Sequence, residues 1–418
     1  MAGESACLTI RMVSMGALAA ILFFLQAADY SAEGTKALEA QKYEQAAELF
    51  GKAVAADPKD YWSHFHLALA YSMLKRDAEG IGEYKKVLEL KPGLYEAELN
   101  VAILLLRDKQ AADAAPYLAE AVEQKPKEFR PRLYWADALL GSGDAAKAEE
   151  QYRAALDLNA KSAAAELGLA QAEARQNRLA DAAPHFRTAA QLDSGYRDAL
   201  LELAALYEKN HQEAEALSIY KEFPENAAAQ EHIGQLLLET RQSKDAIAPL
   251  EAAVQKDPTP ANRLALGTAY LFEKQFDKAL PLLDQSVAAE PNNYSLRMMY
   301  GRGLRDSKKY AAAAQQFFEA TKLKPDSREA WNELAGMLYM LEKYPESLAA
   351  LDKAHQLGED TPANYYFHAI TYDKLKALKQ ALEYYREFLA RSNGQFPDEE
   401  WKARQRAKLL DRELNNKR

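Results

Sequence analysis

Between residues 42 and 60 the chain reads KYEQAAELFGKAVAADPKD, apolar at Tyr43, Ala46, Phe50 and Ala53, with Pro58 beyond the last of them. Spacings of three, four and three residues put these side chains on one face of a helix, and a proline ends it. The phrase returns as KQFDKALPLLDQSVAAEPNN from Lys274 and as KKYAAAAQQFFEATKLKPDS from Lys308. Other stretches, such as WSHFHLALAYSM from Trp62 to Met73, form the other half of each repeat and resemble one another less. The pattern predicts helix pairs joined by turns.

Aligned on the proline turns, the units start near Ala27, Tyr61, Tyr95, Phe129, Ala163, Arg197, Ala227, Pro260, Tyr294, Arg328 and Pro362, most of them 34 residues apart. One column of this register is small throughout: Gly34, Ala68, Ala102, Gly234, Gly267 and Gly301 are examples. A second, including Ala46, Gly80, Ala148, Ala279 and Ser347, is small as well. Helices approach to about 8 Å only where side chains at the crossing are small, so each pair has a close crossing. A third column, including Phe50, Tyr84, Tyr152, Leu250 and Phe317, is large and is expected to fill the space between one pair and the next.

The sixth unit is short, Arg197 to Asn226, and EFPEN closes its second helix early. A local change of geometry is expected there, which divides the chain into an N-terminal segment 1–28, units 1–6 over 29–226, units 7–11 over 227–395 and a terminal helix over 396–418. In that last helix Asp398 is expected as N-cap. Ala403, Ala407, Leu410 and Leu414 make one apolar stripe, as a helix needs if it is to seal the end of an array.

The stretch ALGTAYLFEKQFDKALPLLDQSVAAEP, with Leu266, Gly267, Tyr270, Phe276, Ala279 and Pro291 in place, resembles the tetratricopeptide repeat family. The resemblance implies an all-α fold: a right-handed α-solenoid of about eleven helix-turn-helix units with a C-terminal capping helix. It also implies that the first helix of each pair lines a concave face along which partner peptides commonly lie. On this register that face collects Trp62, Phe65, Leu69 and Met73, then Leu99, Asn100, Ile103 and Arg107, then Arg130, Leu133, Tyr134 and Asp137.

Aromatic and aliphatic residues edged by arginine have the composition of a protein contact surface. Leu99 and Leu133 fit core packing equally well. Arg302 and Arg305, near Arg297, either receive an acidic partner or make surface salt bridges. Some members of the family clamp a C-terminal carboxylate, but Phe65, Leu69 and Tyr134 stand where polar or basic residues would be needed, and an apolar groove agrees better with them.

Composition changes this picture in three respects. The formal charge of −9 is scattered among many Lys and Arg residues, which disfavours nucleic acid as a partner, since phosphate attraction needs a coherent basic face. The apolar run Met12–Ala28 behind Arg11 reads as a signal peptide or N-terminal membrane anchor, so an exported protein is expected, periplasmic or secreted or held by that segment. Cys7, the single cysteine, leaves no disulfide within one chain.

There is no phosphate loop, no dinucleotide fingerprint, no zinc-protease motif and no nucleophile elbow. His64 and His66 are two residues apart and diverge on a helix, so neither they nor His368 are taken as metal ligands. No catalytic residue, metal or cofactor is expected. The expected function is a non-enzymatic scaffold that binds proteins or peptides on its concave face, in cell-envelope assembly or organisation. The alternatives are a regulatory or targeting subunit of an enzyme complex and a self-associating solenoid that forms homo-oligomers.

Overall fold

A computed structural model describes residues 27–415, and among them the chain forms helices and turns with no strand. The apolar run Met12–Ala28 lies outside the described residues except for Ala27 and Ala28, which stand in the first helix. Among the described residues no helix is long and apolar enough to cross a membrane.

The helices are α1 (described over 27–39), α2 (Tyr43–Ala56), α3 (Tyr61–Met73), α4 (Asp77–Leu90), α5 (Tyr95–Arg107), α6 (Ala111–Gln124), α7 (Phe129–Gly141) and α8 (Ala145–Leu158). They continue as α9 (Ala163–Arg175), α10 (Leu179–Leu192), α11 (Ala199–Lys209), α12 (Glu213–Tyr220), α13 (Ala227–Glu239), α14 (Ser243–Lys256), α15 (Pro260–Phe272) and α16 (Phe276–Ala289). Then come α17 (Tyr294–Asp306), α18 (Tyr310–Leu323), α19 (Arg328–Met340), α20 (Tyr344–Gln356), α21 (Pro362–Lys374), α22 (Leu378–Arg391) and α23 (Pro397–Asn415). From α2 to α10 and from α13 to α23 consecutive helices pack as hairpins that stack on one another, as a solenoid requires. Contacts divide the described residues into two compact units, 27–216 and 217–415.

Nine first helices, α3, α5, α7, α9, α13, α15, α17, α19 and α21, begin on the residue that the register picks as a start. The exception is α11, which begins at Ala199 rather than Arg197. Ser194 stands at that junction in place of a proline, and Ser194–Tyr196 forms a 3-10 turn held by Asp193 Oδ1, which accepts from the Gly195 N–H. Side chains cap many first helices: Asp60, Ser162, Asn226, Thr259, Asn293, Ser327 and Thr361 each accept a backbone N–H of the first turn. In α23 the expectation fails by position. Pro397 opens the helix, where its missing N–H is harmless, so Asp398 lies within the first turn and is not the N-cap.

The turn inside each hairpin has a constant geometry. Gln41, Lys75, Lys109, Gly143, Asn177, His211, Arg241, Lys274, Lys308, Glu342 and Lys376 all have φ between 55° and 95°, and each is the fifteenth residue of its repeat. The following N–H reaches back five residues, as Arg76 N to Tyr71 O at 2.9 Å, which closes a Schellman turn. Glycine usually takes this left-handed position; here ten of the eleven are other residues.

The small and large columns meet as the crossing requires. A Cβ added to Gly34 would stand 3.0 Å from Phe50, one on Gly301 2.6 Å from Phe317, and one on Gly234 2.3 Å from Leu250. The large residue is therefore seated inside its own pair, under the small residue of the first helix. It also reaches the next pair: a Cβ on Gly168 would stand 2.3 Å from Tyr152, and Asn100 donates to the Tyr84 hydroxyl at 3.2 Å. In the second unit α23 seals the last hairpin through Ala403 and Leu410, both fully buried, with Ala407 and Leu414 beside them. Its outer side carries an exposed Trp401.

Candidate interaction surface

First helices of neighbouring pairs touch directly, α5 on α7 and α7 on α9 in the first unit and α13 on α15 in the second. Within each unit, positions 2, 5, 6, 9, 12 and 13 of these helices therefore come together on one face.

In the first unit Trp62 is 51% exposed and its ring lies 4.1 Å from that of His66. Phe65 stands edge-on to Tyr84 at 5.4 Å, Leu69 and Ile103 are half-buried, and Met73 is exposed. Leu99 and Tyr134 lean on the core around Tyr84, and Leu133 leans on the core around Tyr152, so these three serve packing as well as surface. Arg107 is committed: its Nε donates to Asp77 Oδ2 at 2.5 Å, its second terminal nitrogen pairs with Asp77 Oδ1 and reaches Ser72 O at 3.2 Å. Arg130 is exposed and pairs with no carboxylate among the described residues.

In the second unit the same helix positions enclose a cavity of about 580 Å³. Thr268, Leu271 and Phe272 line it from α15, and Ser295, Met298, Met299, Arg302, Arg305 and Asp306 from α17, with Phe276, Tyr294 and Glu329 at its edges. Phe272 is 61% exposed, a large apolar area left facing water. Arg302 pairs with Glu329 and, at 3.4 Å, with Glu333; Arg305 donates to both Glu333 oxygens at 2.7 Å. Sequence reading singled out the two arginines and missed Phe272, Met298 and Met299. The available signal was position: these stand thirteenth, fifth and sixth in their repeats, as Met73, Phe65 and His66 do in theirs.

On the other side, where second helices face outward, titratable groups cluster between α8, α9 and α10. Arg153 donates to the fully buried Glu173 at 2.6 Å and to Glu149 at 3.2 Å; Gln176 and Arg178 also donate to Glu149. His185 Nδ1 lies 2.6 Å from Glu166 Oε2. Burial alone would raise the Glu149 carboxyl, but Gln176, Arg153 and Arg178 outweigh it and hold it below the usual range. Burial raises Glu173 despite His185 and Arg153.

The fourth position of the repeat often carries such a polar bridge. His64 lies 2.5 Å from Glu83 and 3.1 Å from Pro58 O; the Glu83 hydrogen bond, opposed by burial, raises its pKa. Arg132 and Arg297 likewise hold a glutamine and the carbonyl of a turn proline. These residues fasten the two helices of one hairpin to each other and to the proline turn that precedes it. His368 is buried against Tyr384, ring to ring at 4.7 Å. Among the described residues no group of three or more His, Cys, Asp or Glu side chains is placed to hold a metal ion.

Comparison with known proteins finds a family model described as tetratricopeptide repeat over residues 31–95, 133–197 and 193–260. A model described as anaphase-promoting complex, cyclosome, subunit 3, matches residues 273–354. Protein O-mannosyl-transferase TMTC1 of Homo sapiens is 27% identical over 167 residues, which cover 38% of this chain and 19% of that protein. The chain thus matches about a fifth of the length of that relative. Among solved structures, YrrB, described as a TPR protein with an unusual peptide-binding site, is similar at 18% identity and a TM-score of 0.38, covering 40% of this chain and 85% of that one. MamA of Desulfovibrio magneticus RS-1, from residue 41 onward, is similar at 22% identity and a TM-score of 0.38, covering 41% and 96%.

Proposed function

Because the chain belongs to the tetratricopeptide repeat family, we propose that it is a non-enzymatic scaffold that holds a segment of another protein along the face made by its first helices. The observation that carries this reading is the cavity between α15 and α17. Leu271, Met298 and Met299 offer it an apolar lining, methionines adapt their shape to an incoming side chain, and Phe272 stands at its mouth ready to be covered. Arg302 and Arg305 are neutralised by Glu329 and Glu333, so the charged rim is balanced and the binding energy comes from apolar burial. Trp62, Phe65, Leu69 and Met73 on α3 offer the same kind of surface in the first unit, and Arg130 stands exposed on α7.

The run Met12–Ala28 behind Arg11 supports placing this scaffold outside the cytoplasm, in cell-envelope assembly or organisation. The test is crosslinked affinity capture from the native envelope with the full chain, read by mass spectrometry that also records the mature N-terminus. Phe272→Asp combined with Arg130→Glu is expected to lose the captured partners while the helical circular dichroism signal stays unchanged. Partners retained by that variant would move the site off the first-helix face, and an N-terminal peptide that begins at Met1 in a cytosolic fraction would overturn export.

A further inference from the structure

The second-helix side of the second unit holds an apolar trough of about 610 Å³ between α18 and α20, floored by α19. Its lining departs from the rest of the array in a way the register makes visible. Phe318, 47% exposed, is the twenty-fifth residue of its repeat, where other repeats place Lys85, Arg153, Arg187, Glu251, Asp284 and Asp352. Trp331 and Ala350 occupy the fourth and twenty-third positions, where Glu166 and His185 bridge in an earlier repeat. Leu341 stands where Gln176 does, while Leu338 and Ala314 keep the apolar character that Leu105, Leu304, Ala115 and Leu280 have at the same positions and that Glu173 and Glu149 break. The polar bridges that close this space between the fourth and fifth repeats have no counterpart here, where short or apolar side chains stand instead, so the space opens and its walls are greasy.

Two lysines stand at the edges of the trough: Lys343 and Lys353 line it and pair with no carboxylate among the described residues, while Glu346 is the one acid among the lining residues. Lys322 lies over the Phe318 ring at 4.4 Å and is paired with Glu319 at 2.7 Å, so the free charge is that of Lys343 and Lys353. In a chain of net charge −9, a lysine-rimmed apolar trough selects for the opposite charge. The walls are two helices of 14 and 13 residues, which is about 20 Å of groove at 1.5 Å per residue and matches four turns of an incoming helix.

We propose that this trough is a second docking site, used by an amphipathic helix of a partner protein that carries apolar residues at i, i+3, i+4 and i+7 and acidic residues along its flanks. The apolar stripe covers Phe318, Trp331 and Leu338, and the acidic flanks meet Lys343 and Lys353. This site lies on a different face from the cavity between α15 and α17 and does not depend on it.

The probe is a fluorescent peptide of about 18 residues with leucine at those positions and glutamate on its flanks, and a control in which lysine replaces every glutamate. Fluorescence anisotropy with the full chain is expected to show binding of the acidic peptide and at least about tenfold weaker binding of the control. Phe318→Asp is expected to weaken the acidic peptide by a similar factor, and Lys343→Glu with Lys353→Glu to do the same. Asp284 and Asp352 occupy the counterpart position in adjacent repeats, so Phe318→Asp is compatible with the fold, and unchanged circular dichroism checks that. Phe272→Asp is expected to leave this binding unchanged. Equal binding of both peptides, no binding, or insensitivity to Phe318→Asp would overturn the proposal. Self-association of the wild-type chain in sedimentation that Phe318→Asp abolishes would overturn it too, in favour of a second copy as the occupant.

Discussion

The junction between the fourth and fifth repeats and the junction between the ninth and tenth are built from the same repeat positions and filled with opposite chemistry. At the first, Glu149, Arg153, Glu173, Gln176, Arg178 and His185 form a hydrogen-bonded network around a fully buried carboxylate. At the second, the counterparts are Ala314, Phe318, Leu338, Leu341, Lys343 and Ala350 around an open trough. The helices are nearly identical in length and the turn geometry is the same. Stacking of the hairpins thus tolerates either filling, because the small and large columns hold the helices and leave these positions free. The network spends its side chains on one another. The trough leaves its apolar area to be covered by something else.

The largest expected effect that separates the two junctions is on stability. Arg153→Ala removes the cation nearest to buried Glu173 and is expected to cost about 2 kcal/mol in urea unfolding of the full chain, less than a wholly buried pair because Arg153 is half exposed. Phe318→Ala at the counterpart position is expected to cost less than about 0.5 kcal/mol, since its ring already faces water on one side. Equal costs would mean that the trough is a closed core and not a surface.

Next in size is a pH effect at the fourth position of the third repeat, where Glu98 takes the slot of Glu166 and Trp331 and pairs with no cation among the described residues. Gln124 donates to its Oε2 at 2.6 Å, and Oε1 has no partner. Burial first, and Glu120 second, push this carboxyl up. A raised acid favours the folded state fully below its unfolded value, near pH 4.3, and that contribution is lost as pH rises through the folded value. Glu98→Gln is therefore expected to stabilise the chain by about 1 kcal/mol at pH 8 and not at pH 4. Denaturant midpoints at the two pH values check the sign, and a gain at both would assign the effect to packing.

The smallest expected effect compares Asn177 with Glu342, the left-handed turn residues of the two junctions at φ 61°. Glu342→Gly is expected to raise stability by up to about 1 kcal/mol, and Asn177→Gly by less, because asparagine tolerates this conformation better than glutamate. Equal gains would show that the turn's hydrogen bonds, and not side-chain sterics, set the cost.

Much of the fold was legible because packing repeats. The proline turns and the small and large columns located nine first helices to the residue, since a hairpin stack requires the same sizes at the same places in every unit. It misplaced the starts of α11 and α23, where local turn chemistry at Asp193 and Pro397 decides the first residue. The left-handed turn position left no trace as glycine, because Gln, Lys, Asn, His, Arg and Glu all accept it once the hairpin forces it. The candidate surface was legible as positions and less so as residues. Arg107 looked available in sequence, and Arg302 and Arg305 stood open between an acidic partner and salt bridges, but Asp77, Glu329 and Glu333, 27 to 30 residues away, already hold them.

The sequence by itself determined the repeat length, the helix pairs, the close crossings and the sealing stripe of α23, all of which depend on neighbours within one or two turns or one repeat. Only the tertiary structure decided which surface charges are free, which carboxylates are buried, and where space stays open between hairpins. Those outcomes depend on side chains from three helices meeting at one point, and no periodicity along the chain records such a meeting. The stretch from Tyr310 to Leu323 shows the division plainly: its spacing marks a second helix like any other, and only the placement of α19 and α20 against it leaves Phe318 at the wall of a trough.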